Sequence, residues 1–304
     1  MHGNTVSLIG LGLLGGSLGK AMLKGGLAKR VLGLVRREES IQQAQEAGIV
    51  HQAYLEPQEA VQEADLIILC TPVLQIPALM EKMLPHLRPG TLVTDVGSVK
   101  RELVDHLEPL LTSAGCVYIG SHPMAGSERH GLEHADPNLF LGATCVITPT
   151  ATSPDASVQT IMQFWESVGG QPLIMEAAQH DQWVAHASHL PHAVAAMLAW
   201  RTLDPAQGAL QAELCSTGFR DTTRVASGSP EMWADILISN RSAIGQSLQS
   251  HQEQCTELKQ WLENNDRASI LEWLAESKMR RDQWLESYSK RQPTMKGPRP
   301  PARK

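Results

Sequence analysis

TVSLIGLGLLGGSLGKAML, residues 5–23, reads as an apolar strand, a glycine turn and a helix in immediate succession. Its glycines at 10, 12 and 15 have the GxGxxG spacing of a dinucleotide-binding turn. The first permits the tight turn, the second lets a pyrophosphate approach the backbone, and the third lets helix and strand pack closely. The helix N-terminus then faces the anion. The spacing alone is a weak motif, but the strand before it and the helix after it supply the setting it requires. Gly10, Gly12, Leu13, Leu14 and Gly15 are the residues expected against a nicotinamide dinucleotide.

Outward from that turn the alternation continues. Strand-like runs recur at VLGLV (31–35), ADLIILCTPV (64–73), TLVTDVGSVK (91–100), CVYIG (116–120) and CVITPT (145–150), separated by helical patterns. This predicts an α/β fold in which one doubly wound, Rossmann-type sheet uses the chain to about residue 176. From Ala177 the period is helical only. The expected organisation is a dinucleotide-binding domain over 1–176, a helical substrate and dimerisation domain over 177–290, and a disordered, basic, proline-rich tail over 291–304.

Composition bounds the class. The 304 residues are 42% hydrophobic and 19% charged, ordinary for a globular chain that buries its own core. A net charge of −6 gives no electrostatic case for nucleic acid. The five scattered cysteines form no CxxC pair or metal-ligand spacing, no apolar run approaches membrane-spanning length, and no signal peptide is evident. A cytoplasmic protein without membrane or metal sites is expected.

Several residues carry candidate chemistry. His122, in GSHPMAG (120–126), follows a predicted strand and precedes Pro123, a good place for a proton acceptor. Ser98 is read as the N-cap of a helix starting at Val99, and as a possible active-site hydroxyl at the sheet's carboxyl edge. Thr71 and Pro72 end the third strand, where backbone approaches a cofactor. At the end of the second strand no carboxylate awaits the ribose 2′-hydroxyl; Arg36 and Arg37 stand there instead, which predicts NADP over NAD. The competing explanation is that both arginines merely join Glu38 and Glu39 at a helix start.

In the helical half, residues 180–200 form one helical pattern crossed by Pro191, which should kink it. Of its histidines, His189 and His192 are expected to face a polar pocket near the kink rather than a metal. STGFRDTTR (216–224) reads as a glycine-containing turn with two arginines, either of which suits a carboxylate; spacing does not choose between Arg220 and Arg224. Leu258, Trp261, Leu262, Ile270, Trp273 and Leu274 form an apolar stripe suited to core or dimer packing.

Taken together, GLGLLGGSLG (10–19), TDVGSVK (94–100), GSHPMAG, NLF (138–140), SHLPH (188–192) and GFRDTTRVASGSPEMW (218–233) resemble the prephenate and arogenate dehydrogenases of tyrosine biosynthesis, in the family's order. The resemblance implies an oxidative decarboxylation of a small cyclohexadienyl substrate. His122 would accept the 4-hydroxyl proton while hydride leaves the same ring carbon. Ser98 would hydrogen-bond His122 or the substrate hydroxyl, Arg224 would grip a carboxylate, His192 would line the pocket, and Trp233 would lie near the substrate side chain or the dimer seam. It also implies a homodimer through the helical half. The chain is expected to lack the mutase segment and the regulatory domain of some relatives. Prephenate is the expected substrate; the alternatives are arogenate or dual specificity and, from another class, a non-catalytic nucleotide-binding regulator. Another hydroxyacid dehydrogenase of this plan would carry a lysine on the helical half, and Ala177 to Trp233 contains none.

Overall fold

Apolar runs short enough for strands and buried on both faces dictate the first half of the chain. The computed structural model describes residues 4–126, 129, 131–207 and 209–291. Six parallel strands, β1 (Thr5–Ile9), β2 (Arg30–Leu34), β3 (Gln52–Tyr54), β4 (Leu66–Leu69), β5 (Leu92–Asp95) and β6 (Val117–Tyr118), form one sheet in the order β3-β2-β1-β4-β5-β6. This is the doubly wound order, with its reversal between β1 and β4. On β4, Leu66 and Ile68 enter one core cluster while Ile67 and Leu69 enter the other, so both faces are covered. The α/β Rossmann-type class followed by helices is as the sequence implied.

The single sheet to residue 176 is not. A second, three-stranded sheet contains β7 (Gly120–Pro123), β8 (Thr144–Thr148) and β9 (Gln171–Ile174), with β7 antiparallel to β8 and β8 parallel to β9. Only Ile119 separates β6 from β7, so one strand-like run changes sheets without a Gly/Pro turn to announce it. His122 is thus a strand residue, paired with Val146, and not a loop residue.

Two local expectations are also corrected. The helix after β5 begins at Arg101, with Lys100 at its cap position, so Ser98 does not cap it. Its first N–H groups are instead met from far along the chain, by Asp181. STGFRDTTR is helical over Thr217–Thr223, since a single helical glycine costs only about 1 kcal/mol. As the sequence implied, residues 177–202 are helical throughout and Pro191 lies within the run; a π-helical turn, Ala185–His189, breaks the regular winding immediately before it.

Packing divides the chain after Ser247. In the following unit Trp261 and Trp273 pair at 6.3 Å between centroids, while Leu262 and Leu274 stay exposed. The helix Arg267–Arg291 reaches the first residue of the expected tail; residues 292–304 lie outside the described residues. All five cysteines are free thiols, and no described helix is long and apolar enough to cross a membrane. Among the described residues no group of three or more His, Cys, Asp or Glu is placed to hold a metal ion.

Candidate active site

A cleft of about 930 Å³ opens where β1, β2 and β4 end. Its lining includes Gly10, Gly12, Arg36, Arg37, Thr71 and Pro72, all expected from the sequence. The three glycines divide their work as the motif requires. Gly10 adopts φ +100°, a left-handed-side conformation that favours glycine. A Cβ on Gly15 would stand 2.0 Å from the Gly10 carbonyl oxygen, so only glycine lets helix and strand approach. A Cβ on Gly12 would meet nothing within 4 Å and would project into open space, the room a pyrophosphate needs. Leu13, Leu14 and Gly15 form the first turn of the helix Leu13–Gly25 and do not line the cleft. Thr71 Oγ1 is buried without a hydrogen-bond partner among the described residues. A nicotinamide dinucleotide fits this donor set and this gap.

At the second strand's end Arg37 forms a long, exposed ion pair with Glu39 at 3.8 Å. The helix-start explanation thus has one contact in its favour, through Arg37, while both arginines line the cleft.

Beyond β5 a buried polar network supports β7. Lys100 is fully buried and its ammonium contacts Asp95, also fully buried, while donating to the Ser121 carbonyl oxygen at 2.9 Å. Asp95 accepts from Tyr118 Oη at 2.9 Å, Ser121 N at 3.0 Å and Gly97 N at 2.8 Å. Every acceptor position of this carboxylate is used, as a buried charge requires. Burial pulls the Lys100 ammonium below its ordinary pKa despite the opposing pull of Asp95.

His122, next along β7, is buried and points Nδ1 at His180 Nε2, 2.9 Å away. His180 Nδ1 lies 2.7 Å from Asp181 Oδ1. The same Asp181 oxygen accepts from Lys100 N at 2.8 Å, and its other oxygen from Arg101 N at 2.9 Å. A carboxylate at a helix N-terminus is favoured by the exposed N–H groups and the helix dipole. Burial first, then the neighbouring His180, Lys100 and His189, hold His122 well below the ordinary histidine pKa. That direction favours the neutral imidazole at pH 7.

The helical half contributes three rings. His192 stacks on Trp233 at 3.5 Å between centroids and 11° between planes, and His189 meets the same indole edge-on at 6.1 Å. His189 is buried, and burial lowers its pKa to about 4. Asn240, also buried, donates to the Asp181 carbonyl oxygen at 2.8 Å and lies 3.1 Å from His189 Nδ1. The turn Arg224–Ser227 packs against the helix Leu190–Thr202. Arg220 is engaged with Asp221 at 2.9 Å on the surface. Ser98 is half-buried in the turn between β5 and the helix Arg101–Ser113.

The structure therefore gathers His122, His189, His192 and Trp233. Residues 18–174 match the family model described as prephenate dehydrogenase, nucleotide-binding domain, and residues 176–276 the one described as prephenate dehydrogenase, dimerization domain. The chain belongs to the prephenate dehydrogenase family. It is 31% identical over 285 residues to the prephenate dehydrogenase of Bacillus subtilis (strain 168), covering 92% of this chain and 76% of that protein. Among solved structures, A. aeolicus prephenate dehydrogenase in complex with hydroxyphenyl propionate and NAD+ superposes with TM-score 0.86 at 29% identity, covering 92% of this chain and 98% of that one. Synechocystis arogenate dehydrogenase does so with TM-score 0.79 at 32% identity, covering 92% and 99%. What the sequence left unread in this member of the prephenate dehydrogenase family is the support beneath the rings: Lys100, Asp95, His180, Asp181 and Asn240. Lys100 and Asp95 stand in TDVGSVK, but nothing local marks them as buried. His180 was visible only as one of several helical histidines.

Proposed function

We propose that this chain is a prephenate dehydrogenase, converting prephenate to 4-hydroxyphenylpyruvate and CO₂ with transfer of hydride to a nicotinamide dinucleotide. The observation that carries the reading is a buried neutral imidazole, His122, held through Nδ1 by His180 and so left with one ring nitrogen for the substrate. His122 takes the proton of the 4-hydroxyl. The bound nicotinamide supplies an acceptor for the hydride from the same ring carbon. The electrons of the breaking carboxylate bond then make the ring aromatic, releasing CO₂. Ser98 hydrogen-bonds the reacting hydroxyl or His122, Arg224 grips a substrate carboxylate, and His189, His192 and Trp233 line the pocket. Gly10, Gly12, Thr71 and Pro72 hold the dinucleotide, with Leu13, Leu14 and Gly15 shaping the helix start behind it. On this reading residues 1–176 bind cofactor and 177–290 bind substrate and pair the subunits. The free thiols fit a reducing cytoplasm.

Steady-state assays with prephenate and arogenate, each with NAD and NADP, test the assignment; turnover of arogenate alone would refute it. Arogenate is the second reading, favoured by the likeness to the Synechocystis enzyme.

NADP is the proposed cofactor, through Arg36. Replacing Arg36 by Ala lowers kcat/KM with NADP by roughly 10- to 100-fold, the worth of one charge-assisted hydrogen bond of about 1.5–3 kcal/mol. The value with NAD stays near that of the parent. A parent enzyme that strongly prefers NAD defeats the proposal outright.

The chain forms a homodimer through its helical half. Trp200, Leu210 and Leu214 are 85%, 76% and 84% exposed, large apolar groups that call for a covering partner. Light scattering is expected to give twice the chain mass for the parent and a monomer for Trp200→Glu. A monomeric parent at micromolar concentration contradicts this.

A further inference from the structure

Two buried histidines, His122 and His189, lie close enough to influence one another, yet their surroundings assign their ring protons oppositely. Neutral imidazole carries one N–H and one lone pair, and the partner of one nitrogen decides which is which. Asp181 is contacted by N–H groups from Lys100 and Arg101, the set a carboxylate accepts. The remaining contact to its Oδ1 comes from His180 Nδ1 at 2.7 Å, which must therefore donate. His180 Nε2 is then a lone pair, and His122 Nδ1, 2.9 Å away, must supply the hydrogen between them. His122 Nε2 is left as the acceptor. Asn240 works in the other direction. Its amide NH₂ donates to the Asp181 carbonyl oxygen and to His189 Nδ1, so the ring hydrogen of His189 is on Nε2.

We propose that His180 and Asp181 are positioning residues that lock His122 in the Nδ1–H form, with Nε2 bare for the substrate proton, while Asn240 locks His189 in the Nε2–H form as a donor. Asp181 anchors both chains, through its carboxylate to His122 and through its backbone carbonyl to His189. The inference rests on the reading of His122 as proton acceptor. Neither His180 nor Asp181 touches the reacting atoms; they set which nitrogen can act.

The test is the ring ¹⁵N NMR spectrum of the full-length protein without substrate, with His122 signals assigned by their loss in His122→Asn. His122 is expected to show a protonated Nδ1 and a bare Nε2, and His189 the reverse. In His180→Leu the His122 ring should move toward the Nε2–H form and kcat should fall by about 100-fold or more, the worth of a general base, with KM little changed. His180→Gln, whose carbonyl oxygen can accept from His122 Nδ1, should restore most of both. An Nε2–H form of His122 in the parent overturns the proposal, because it means that His180 donates from both nitrogens. So does a His180→Leu enzyme with unchanged tautomer and kcat. The parent spectrum decides even if His180→Leu does not fold. A correct tautomer combined with an active His122→Asn enzyme would instead refute the catalytic reading and leave the tautomer assignment standing.

Discussion

His122→Asn is expected to lower kcat by about 10³-fold, within the range that general bases contribute, while the dissociation constant for the dinucleotide stays near the parent value. The separation follows from the fold: the cofactor cleft is built at the ends of β1, β2 and β4, whereas His122 lies on β7 in the other sheet. The parent's pH profile should carry the same signature. An ordinary histidine titrates near pH ~6.5. Burial and the neighbouring His180, Lys100 and His189 move His122 downward, so its acceptor form persists below that pH. The acid limb of kcat/KM is therefore expected to fall only well below pH ~6.5. An unchanged kcat in His122→Asn removes His122 as the base, and an acid limb centred at or above the ordinary value removes the buried neutral histidine as its cause.

The second large effect is on stability. Lys100→Ala leaves the Asp95 carboxylate fully buried without its counter-charge, and breaking a buried pair on one side costs about 3–5 kcal/mol. Much of the marginal stability of a protein this size is at stake. Denaturant unfolding of Lys100→Ala should show a correspondingly lower midpoint, and Asp95→Asn combined with Lys100→Met should recover part of the loss by removing both charges. A single variant as stable as the parent would mean that Asp95 is protonated or that water reaches it.

How much of this was legible beforehand depended on range. The glycine turn at 10–15 could be read because its strand, turn and helix are adjacent, and each glycine has a local steric reason. His122, His189, His192 and Trp233 stood in short segments whose order carried a family resemblance. The interactions that organise them did not. His122 and His180 are 58 residues apart, and Asn240 and His189 are 51 apart. No periodicity or capping signal encodes such pairs. The misread helix start is the same failure. Ser98 looked like a cap because Ser is a good one, while the groups that needed capping were met by a residue 80 positions away from Arg101. The second sheet was missed because only Ile119 separates β6 from β7, and the change of partner is decided by β8.

Asp181 thus has a bearing on how this protein can be divided. A border drawn near residue 176 separates the two matched family models, but it cuts a helix from its own cap. A fragment ending there keeps every residue of the helix Arg101–Ser113 while losing the carboxylate on its first N–H groups, worth about 1 kcal/mol. It also strips His122 of the ring beneath it. The nucleotide-binding half of this chain therefore draws one helix cap and the ring beneath His122 from the substrate half. Any recombination that exchanges the helical half for another must bring along an acid at the position of Asp181, or pay in both folding and tautomer control.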